Sequence, residues 1–283
     1  MEKLLDEIES YWSTRTEGYS EVNHKELAGT QKNAWLKVLT SQFPDKPKEE
    51  IRILDIGTGP GFFPVILAEA GYHVDAVDYT EGMLEKAKEN AGDLCRNIRF
   101  LRMDAQKLDF EDNTFDVVIS RNLTWNLEHP DVAYREWVRV LKVGGKLLNF
   151  DANWYGYLYE EEQRKAYEND RKNVESNSLD DHYLCTDIER MERIALQVPL
   201  SKIRRPQWDV KTLREAGLLG IHTDTEIWKT VWSEEERLNY QSTPMFMVTG
   251  VKPDHFLNLP VVEGEKTEGF LEIGDGEFTL PAT

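Results

Sequence analysis

The chain has 283 residues, 40% of them hydrophobic, so it can bury a full core as one large domain or two small ones. Acidic residues outnumber basic ones by 52 to 34, and the net charge of −18 disfavours nucleic acid and anionic membranes as partners. Cys95 and Cys185 form neither a CxxC pair nor a disulfide framework, and no signal-peptide pattern or long apolar span is present in the sequence. We therefore expect a cytoplasmic protein.

Two amphipathic helices are predicted before the first strand. Apolar side chains recur at helical spacing within residues 1–12 and again within residues 24–42. The period then changes, and strands alternate with helices from residue 51 onward. The predicted strands and helices of this part are, in chain order, strand 51–56, helix 64–70, strand 73–78, helix 82–90, strands 98–103 and 115–120, helix 132–141, and strand 146–150. Short apolar strands at this spacing are typical of a parallel sheet with helices on both faces, which binds ligands at the carboxyl ends of its strands.

The alternating pattern stops after residue 151. Residues 152–206 are rich in charged and aromatic side chains and carry helical signals only, which predicts an inserted helical cap. A helix over 210–216 and strands over 223–228 and 245–251 then complete the core. The segment 254–283 is acidic, has no long periodic element, and is interpreted as a tail or an edge extension.

A glycine-rich turn, LDIGTGPG over residues 54–61, follows the first predicted strand. Gly57, Gly59 and Gly61 allow backbone N–H groups to approach a ligand closely and tolerate positive φ, although a turn required only by packing is the alternative. The dinucleotide fingerprint needs a third glycine where this chain has Phe62. The turn therefore predicts a ligand cradle of a different kind and disfavours a nicotinamide-dependent oxidoreductase.

The LDIGTGPG segment resembles motif I of the class I S-adenosylmethionine-dependent methyltransferases, of the small-molecule, ubiquinone-biosynthesis-like group. Further segments of that family occur in register: Asp78 ends the second predicted strand, Met103-Asp104-Ala105 follows the third, and residues 115–122 and 141–147 resemble the fourth strand and the turn into the fifth. The resemblance is detailed over residues 10–151 and loose over 205–253. It implies a Rossmann-like α/β fold with a mostly parallel seven-stranded sheet, helices on both faces, and a helical cap after the fifth strand.

The resemblance also implies roles for individual residues. The acid at Asp78 would accept hydrogen bonds from both ribose hydroxyls of S-adenosyl-L-methionine, Tyr79 would pack near the adenine, and Asp104 would meet the adenine amino group. Arg15 could pair with the methionine carboxylate, or be a solvated arginine at a helix end. The residues implied for donor binding are Tyr11, Arg15, Tyr19, Asp55, Gly57, Thr58, Gly59, Gly61, Asp78, Tyr79, Met83, Asp104, Ala105, Arg121 and Asn122.

The same resemblance divides the chain into functional segments. The expected segments are 1–45, N-terminal helices that cover the donor site; 46–151, the donor-binding core; 152–206, the cap or acceptor lid; 207–253, completion of the sheet; and 254–283, the C-terminal tail.

The acceptor side is expected at the ends of the fourth and fifth strands. Methyl transfer from a sulfonium is an in-line displacement, and a general base is optional. The base candidates are His129, Asp151 and Tyr155, although His129 could instead cap a helix and Asp151 could end a strand as a turn residue. The predicted substrate residues are Trp125, Asn126, Asn153, Trp154 and Tyr155, whose aromatic members could equally be part of a buried lid.

No metal site is predicted. Asp180, Asp181, His182 and Cys185 lie close together in sequence, but the whole stretch is acidic and is interpreted as a solvated face. The expected function is methyl transfer to a small molecule, with the acceptor atom and the oligomeric state left open. A protein or peptide methyltransferase and a donor-binding subunit without turnover are the alternatives.

Overall fold

A seven-stranded sheet forms the centre of the computed structural model, which describes residues 3–183 and 186–254. The strands are β1 (Arg52–Ile56), β2 (His73–Asp78), β3 (Ile98–Arg102), β4 (Phe115–Arg121), β5 (Leu141–Asp151), β6 (Leu219–Asp224) and β7 (Phe246–Val251). Their order is β3-β2-β1-β4-β5-β7-β6, with the first five parallel and β7 antiparallel to both of its neighbours. The predicted mostly parallel, seven-stranded α/β fold is confirmed.

Helices lie on both faces of this sheet. They are α1 (Leu4–Ala28), α2 (Gln31–Thr40), α3 (Phe62–Glu69), α4 (Glu81–Ala91), α5 (Pro130–Val140), α6 (Glu161–Ser176), α7 (Ile188–Ala195), α8 (Gln207–Glu215), α9 (Trp228–Val231) and α10 (Glu234–Asn239). Successive strand residues point to opposite faces, so Ile53 joins a core with Trp35 and Phe63, whereas Leu54 joins a core with Trp137. Burial on both faces explains why the strands are apolar almost throughout.

The N-terminal helix is longer than predicted. Instead of ending at residue 12, α1 continues to Ala28, and the second helix begins only at Gln31. The sequence does not show this because the continuation buries polar side chains rather than an apolar stripe: Ser20, Asn23 and Glu26 are all buried. Ser20 accepts a hydrogen bond from Asn90 of α4 at 3.1 Å, which joins the extension to the core.

The edge of the sheet also differs from the prediction. The strand predicted over 223–228 lies earlier, at Leu219–Asp224, and Trp228–Val231 is a helix. β6 is an edge strand with mostly exposed side chains, so it has no apolar alternation to detect. Ile227 of the predicted strand is instead the N-cap residue of helix α9 and, with Val231 four positions later, is buried in the core.

The strand before the cap is longer than predicted as well. β5 runs through the two glycines at 144 and 145, which were interpreted as a turn, and the register with β4 shifts in this region. The cap then contains α6 and α7, as the helical prediction requires. None of the helices in the described ranges combines the length and apolar character needed to cross a bilayer. Cys185 and residues 255–283 of the predicted tail lie outside the described residues.

Candidate donor and acceptor site

The glycine turn between β1 and α3 depends on its missing side chains. Gly57, Gly59 and Gly61 have φ values of +70°, +52° and +91°, which are costly for residues with a Cβ. A Cβ on Gly57 would lie 2.7 Å from a methyl carbon of Leu123, and one on Gly61 would lie 3.0 Å from the Cβ of Ala87 in α4. Gly57 and Gly59 form part of a cavity wall, whereas Gly61 is needed for the close packing of α3 on α4.

The cavity lies over the carboxyl ends of β1, β2 and β4. Its empty space, including the open mouth, is about 850 Å³, within the range of small-molecule sites. Eleven of the predicted site residues line it: Tyr19, Gly57, Gly59, Asp78, Tyr79, Met83, Asp104, Ala105, Arg121, Asn122 and Asn126. The sheet therefore collects residues that are distant in sequence at the edge where this class of fold binds its ligands.

Asp78 joins two parts of this wall. One carboxylate oxygen accepts a hydrogen bond from the Gly59 N–H at 2.8 Å, and the other accepts one from the Thr80 N–H at 2.9 Å. Burial raises the pKa of Asp78, and the same backbone donors oppose the rise. Each carboxylate oxygen can accept more than one hydrogen bond, so Asp78 has acceptor capacity left for a pair of ligand hydroxyls.

A second acidic residue, Asp104, lies on the wall beyond β3. Its Oδ1 accepts hydrogen bonds from the backbone and the side-chain amide of Gln106, at 2.8 and 3.1 Å. The next carbonyl, that of Ala105, accepts a hydrogen bond from Trp137 of α5 at 2.9 Å. The loop is thus fixed from both sides while Asp104, Ala105 and Gln106 all line the cavity.

The long helix α1 covers the cavity. Leu5, Ile8, Glu9 and Trp12 line it from this side. Trp12 Nε1 donates a 2.7 Å hydrogen bond to Asn126 Oδ1, which ties the helix to the loop after β4. Sequence reasoning placed α1 near the donor but missed these four residues. Their spacing of three and four residues was the available signal, because it shows an apolar face without showing what that face covers.

Two side-chain amide atoms of wall residues lack hydrogen-bond partners among the described residues. Asn122 Oδ1 and Asn126 Nδ2 are buried and have no hydrogen-bond partner in the part of the chain that the structure describes. Asn122 sits at the end of β4 with a φ of +57°, held by its N–H bond to the Phe150 carbonyl. Buried polar groups are normally satisfied, so an unpaired acceptor and an unpaired donor on one cavity wall fit a ligand with polar groups of its own.

Arg121 has a partner other than a ligand. Its guanidinium forms two hydrogen bonds with the Glu26 carboxylate of α1, at 2.7 and 3.1 Å, and lies over the rings of Phe62 and Phe63. Glu26 is itself buried. The pair therefore fixes α1 against the core, and only part of Arg121 contributes to the cavity wall.

The other residues implied for donor binding do not line the cavity. Tyr11 packs in an aromatic cluster beside the cap, and Asp55 and Thr58 are buried behind the turn. Burial raises the pKa of Asp55 to about 7. Arg15 is half-buried on α1 and is not among the residues of the wall.

The predicted acceptor residues form part of this aromatic cluster, whose buried members are Tyr11, Trp125, Tyr155, Tyr157, Tyr183, Met191, Ile194 and Ala195. The Trp125 and Tyr155 rings are 4.9 Å apart, and Tyr155 packs on Tyr157 at 5.8 Å. Asn153 has a different role: it exchanges two hydrogen bonds with the backbone of Arg205, at 3.0 and 3.1 Å. We therefore find an aromatic wall between the cap and the donor cavity, with Asn153 behind it as a structural residue.

Asp151 is the anchor of that wall. Its carboxylate accepts hydrogen bonds from the Trp125 N–H and from Trp154 Nε1, both at 3.0 Å, and pairs with Arg205 at 2.7 Å. Both side chains of the ion pair are fully buried. These contacts argue against Asp151 as a general base, because its oxygens are occupied.

His129 also has a structural position. It precedes α5 as the N-cap residue, its N–H donates to Gln106 at 2.6 Å, and its imidazole is largely exposed. Of the three base candidates, Tyr155 alone is in the aromatic cluster, and its hydroxyl has no hydrogen-bond partner among the described residues. The Asp180–His182 segment holds no group of potential metal ligands within the described residues.

The chain is similar in sequence to known methyltransferases. Residues 54–149 match the family model of a methyltransferase domain. The chain is 40% identical over 98 residues to the demethylmenaquinone methyltransferase of Clavibacter sepedonicus, covering 34% of this chain and 39% of that protein. It is 32% identical over 148 residues to the enzyme of the same name from Renibacterium salmoninarum, covering 52% of this chain and 60% of that protein. The chain thus spans between 39% and 60% of the length of these two relatives.

A solved structure shows the same fold. Phosphoethanolamine N-methyltransferase 2 of Haemonchus contortus, in complex with S-adenosyl-L-methionine, superposes with a TM-score of 0.54 at 19% identity, covering 78% of this chain and 52% of that one. The matched segment runs from within β1 to within β5 and contains the glycine turn, Asp78 and Asp104. Residues 54–149 thus carry a methyltransferase domain, and the chain is similar to methyltransferases in sequence and in fold.

Proposed function

We propose that this protein transfers a methyl group from S-adenosylmethionine to a small, planar, hydroxyl-bearing acceptor. The observation that carries the proposal is the cavity at the carboxyl ends of the strands, where Asp78 and Asp104 lie on one wall with Gly57 and Gly59. Two carboxylates beside a glycine turn suit a ligand with ribose hydroxyls and an amino-bearing base better than they suit a phosphate chain.

Different residues of the cavity would bind three different parts of the donor. Asp78 would accept from the ribose, Asp104 and the backbone of Ala105 would meet the adenine, and the unpaired amide oxygen of Asn122 would accept from the amino-acid end. The bound donor supplies an electrophilic methyl group on a sulfonium. Helix α1 excludes water from the cavity through the Trp12 contact with Asn126.

The aromatic cluster supports a planar acceptor. Trp125, Tyr155 and Tyr157 are tilted against one another, and an aromatic cluster of this kind favours contact with another aromatic ring. The relatives are named for demethylmenaquinone, a quinone acceptor. We therefore favour a reduced quinone or a related phenol over a peptide. The acidic charge of the chain disfavours nucleic acid as a substrate, and cytoplasmic location is part of the proposal.

A labelling experiment tests this function. The purified full chain is incubated with methyl-deuterated S-adenosylmethionine and naphthohydroquinone under reducing conditions, in parallel with a cell extract separated into protein and metabolite fractions. The proposal expects deuterated methyl on the naphthohydroquinone or in the metabolite fraction. Label confined to protein would replace it with peptide methylation, and donor binding without any labelled product would replace it with a binding subunit.

A further inference from the structure

Three polar side chains form a continuous chain between the cap and the segment before β7. Glu235 of α10 lies 2.9 Å from His182 Nε2, and the other ring nitrogen, Nδ1, lies 2.9 Å from the hydroxyl of Tyr240. The His182 backbone is fixed too, since its N–H donates to Asn239 at 3.0 Å. All of these residues lie outside the 54–149 segment that matches the methyltransferase domain.

The chemistry of the three groups fixes the direction of their hydrogen bonds. The Glu235 carboxylate can only accept, so Nε2 of the neutral ring carries the hydrogen. Nδ1 of that tautomer is an acceptor, and the Tyr240 hydroxyl must therefore donate to it. The lone pairs of the Tyr240 oxygen then remain able to accept a hydrogen bond from a ligand. An acid, a histidine and a hydroxyl in this order form the arrangement that moves a proton in one direction.

Tyr240 packs against the aromatic cluster of the proposed acceptor site. Its ring packs edge-on against Trp154, at 5.2 Å, and Trp154 is anchored on Asp151 at the carboxyl end of β5. Burial, followed by the nearby Tyr183, Glu236 and Tyr19, raises the pKa of Tyr240 well above its usual range. The Tyr240 ring also packs edge-on against Tyr183 of the cluster, with 5.8 Å between the ring centroids.

Tyr155 approaches from the opposite side of the aromatic cluster. Tyr155 and Tyr240 both pack on the ring of Tyr183, with centroid distances of 6.4 and 5.8 Å. The Tyr155 hydroxyl has no hydrogen-bond partner among the described residues, whereas the Tyr240 hydroxyl is committed to His182. The Tyr155 hydroxyl can therefore donate a hydrogen bond to the methyl acceptor, while the Tyr240 oxygen accepts one from it.

We propose that Glu235, His182 and Tyr240 form a proton relay that takes the hydroxyl proton of the methyl acceptor. The inference rests on the proposed function and adds the group that activates the nucleophile. The O–H bond of the acceptor breaks and its proton passes to the Tyr240 oxygen, while the Tyr240 proton passes to His182 Nδ1. The acceptor becomes an oxyanion, and the resulting imidazolium is paired with the Glu235 carboxylate. Tyr240 touches the acceptor, and His182 and Glu235 act through it as positioning residues.

Other charged groups surround the relay and stay unchanged in the test. They are Arg171 of α6, the Asp181 carboxylate that pairs with Arg171 at 2.6 Å, and Glu236 beside Glu235. Arg171 lowers the pKa of Tyr240 and Glu236 raises it. Because these groups are common to every variant, a change in the proton transfer reports on the substituted residue.

A binding measurement with para-nitrophenol tests the relay without turnover. The phenol absorbs at longer wavelength as an anion, so the spectrum shows whether the bound ligand has lost its proton. In the full chain saturated with S-adenosylhomocysteine, we expect bound para-nitrophenol to be ionised at a pH below its pKa in water. His182→Gln and Tyr240→Phe should still bind it, but in the neutral form.

Two matched controls separate the relay from general effects. Glu235→Gln removes a carboxylate from the first turn of α10, and Glu234→Gln removes an exposed one from the same turn, so both lose the same favourable interaction with the helix dipole. Tyr159→Phe is the matched control for Tyr240→Phe, because it removes the hydroxyl of an exposed tyrosine. With naphthohydroquinone we expect His182→Gln and Tyr240→Phe to lower kcat about 100-fold with little change in KM, and both controls to leave kcat unchanged.

The outcomes distinguish the relay from the function on which it rests. Neutral para-nitrophenol in the unchanged protein, or equal ionisation in His182→Gln, Tyr240→Phe and the controls, would overturn the relay even where methyl transfer is present. Ionised para-nitrophenol without methylated naphthohydroquinone would support the relay and count against the proposed acceptor. Binding of S-adenosylhomocysteine checks the folding of each variant, and Tyr240→Phe, which removes a single oxygen atom, carries the test where His182→Gln does not fold.

Discussion

Replacing Arg205 with methionine should destabilise the fold strongly. The Arg205 guanidinium is fully buried and pairs with Asp151 at 2.7 Å and with Asp209 at 2.6 Å. Methionine keeps most of the volume but leaves two fully buried carboxylates without a counter-charge. Removing one partner of a buried ion pair costs about 3–5 kcal/mol, which for a chain of this size lowers Tm by about 10 °C.

The neighbouring Arg204 offers a matched control. Its side chain is 78% exposed and pairs with Glu160 at 2.8 Å at the surface. Thermal and urea unfolding of Arg204→Met should follow the unchanged protein closely, because an exposed ion pair contributes little. Adding Asp209→Asn to Arg205→Met should recover part of the loss, since one uncompensated charge is then removed. Equal unfolding midpoints for Arg205→Met and Arg204→Met would refute this account of the buried network.

Three further predictions concern the glycine turn, the buried Asp55 and helix α1. Gly57→Ala should abolish S-adenosylhomocysteine binding in calorimetry, because the new Cβ clashes at 2.7 Å where φ is +70°, whereas Gly92→Ala, at φ +50° with open space around it, should bind normally. The pKa of Asp55 is raised from 3.8 to about 7, so its ionisation destabilises the fold as the pH rises through that interval. In urea unfolding, the free energy of unfolding of Asp55→Asn should therefore increase relative to that of the unchanged protein between pH 4 and pH 7, by up to about 4 kcal/mol. A difference in the free energy of unfolding that does not change with pH would count against a buried carboxyl. Trp12→Phe removes the bond to Asn126 and should weaken calorimetric S-adenosylhomocysteine binding about tenfold, and unaltered affinity would show that α1 does not close the cavity.

The central part of the fold could be predicted from local sequence patterns. β1 and β4 are buried almost throughout and mostly apolar, and the glycine turn needs residues without a Cβ, so both leave a direct signature. Asp78 and Asp104 end or follow strands at family spacing, and both line the cavity. Patterns of this kind depend on residues that are near one another in the chain.

The remainder depends on contacts between distant residues. Asp151 looked like a strand-end carboxylate with a free role, but Arg205, 54 positions later, pairs with it. The extension of α1 is held by buried polar groups such as Glu26, whose partner Arg121 is 95 positions away. His182 was weighed only as a metal ligand beside other acids, whereas its partner Tyr240 lies 58 positions further on. None of these pairs leaves a periodic or spaced pattern, because each is created by the tertiary fold.

Calorimetric titration of S-adenosylhomocysteine tests the central claim most directly. Asp78 and Asp75 lie on the same strand, but Asp78 is on the cavity wall, whereas Asp75 pairs with Arg99 outside it. The account predicts one binding site in the unchanged protein, affinity preserved in Asp75→Asn, and affinity lowered at least about 100-fold in Asp78→Ala, because buried ribose hydroxyls would lose their charged acceptor. No heat of binding in the unchanged protein, or equal affinities in Asp78→Ala and Asp75→Asn, would contradict the assignment of this cavity to the methyl donor.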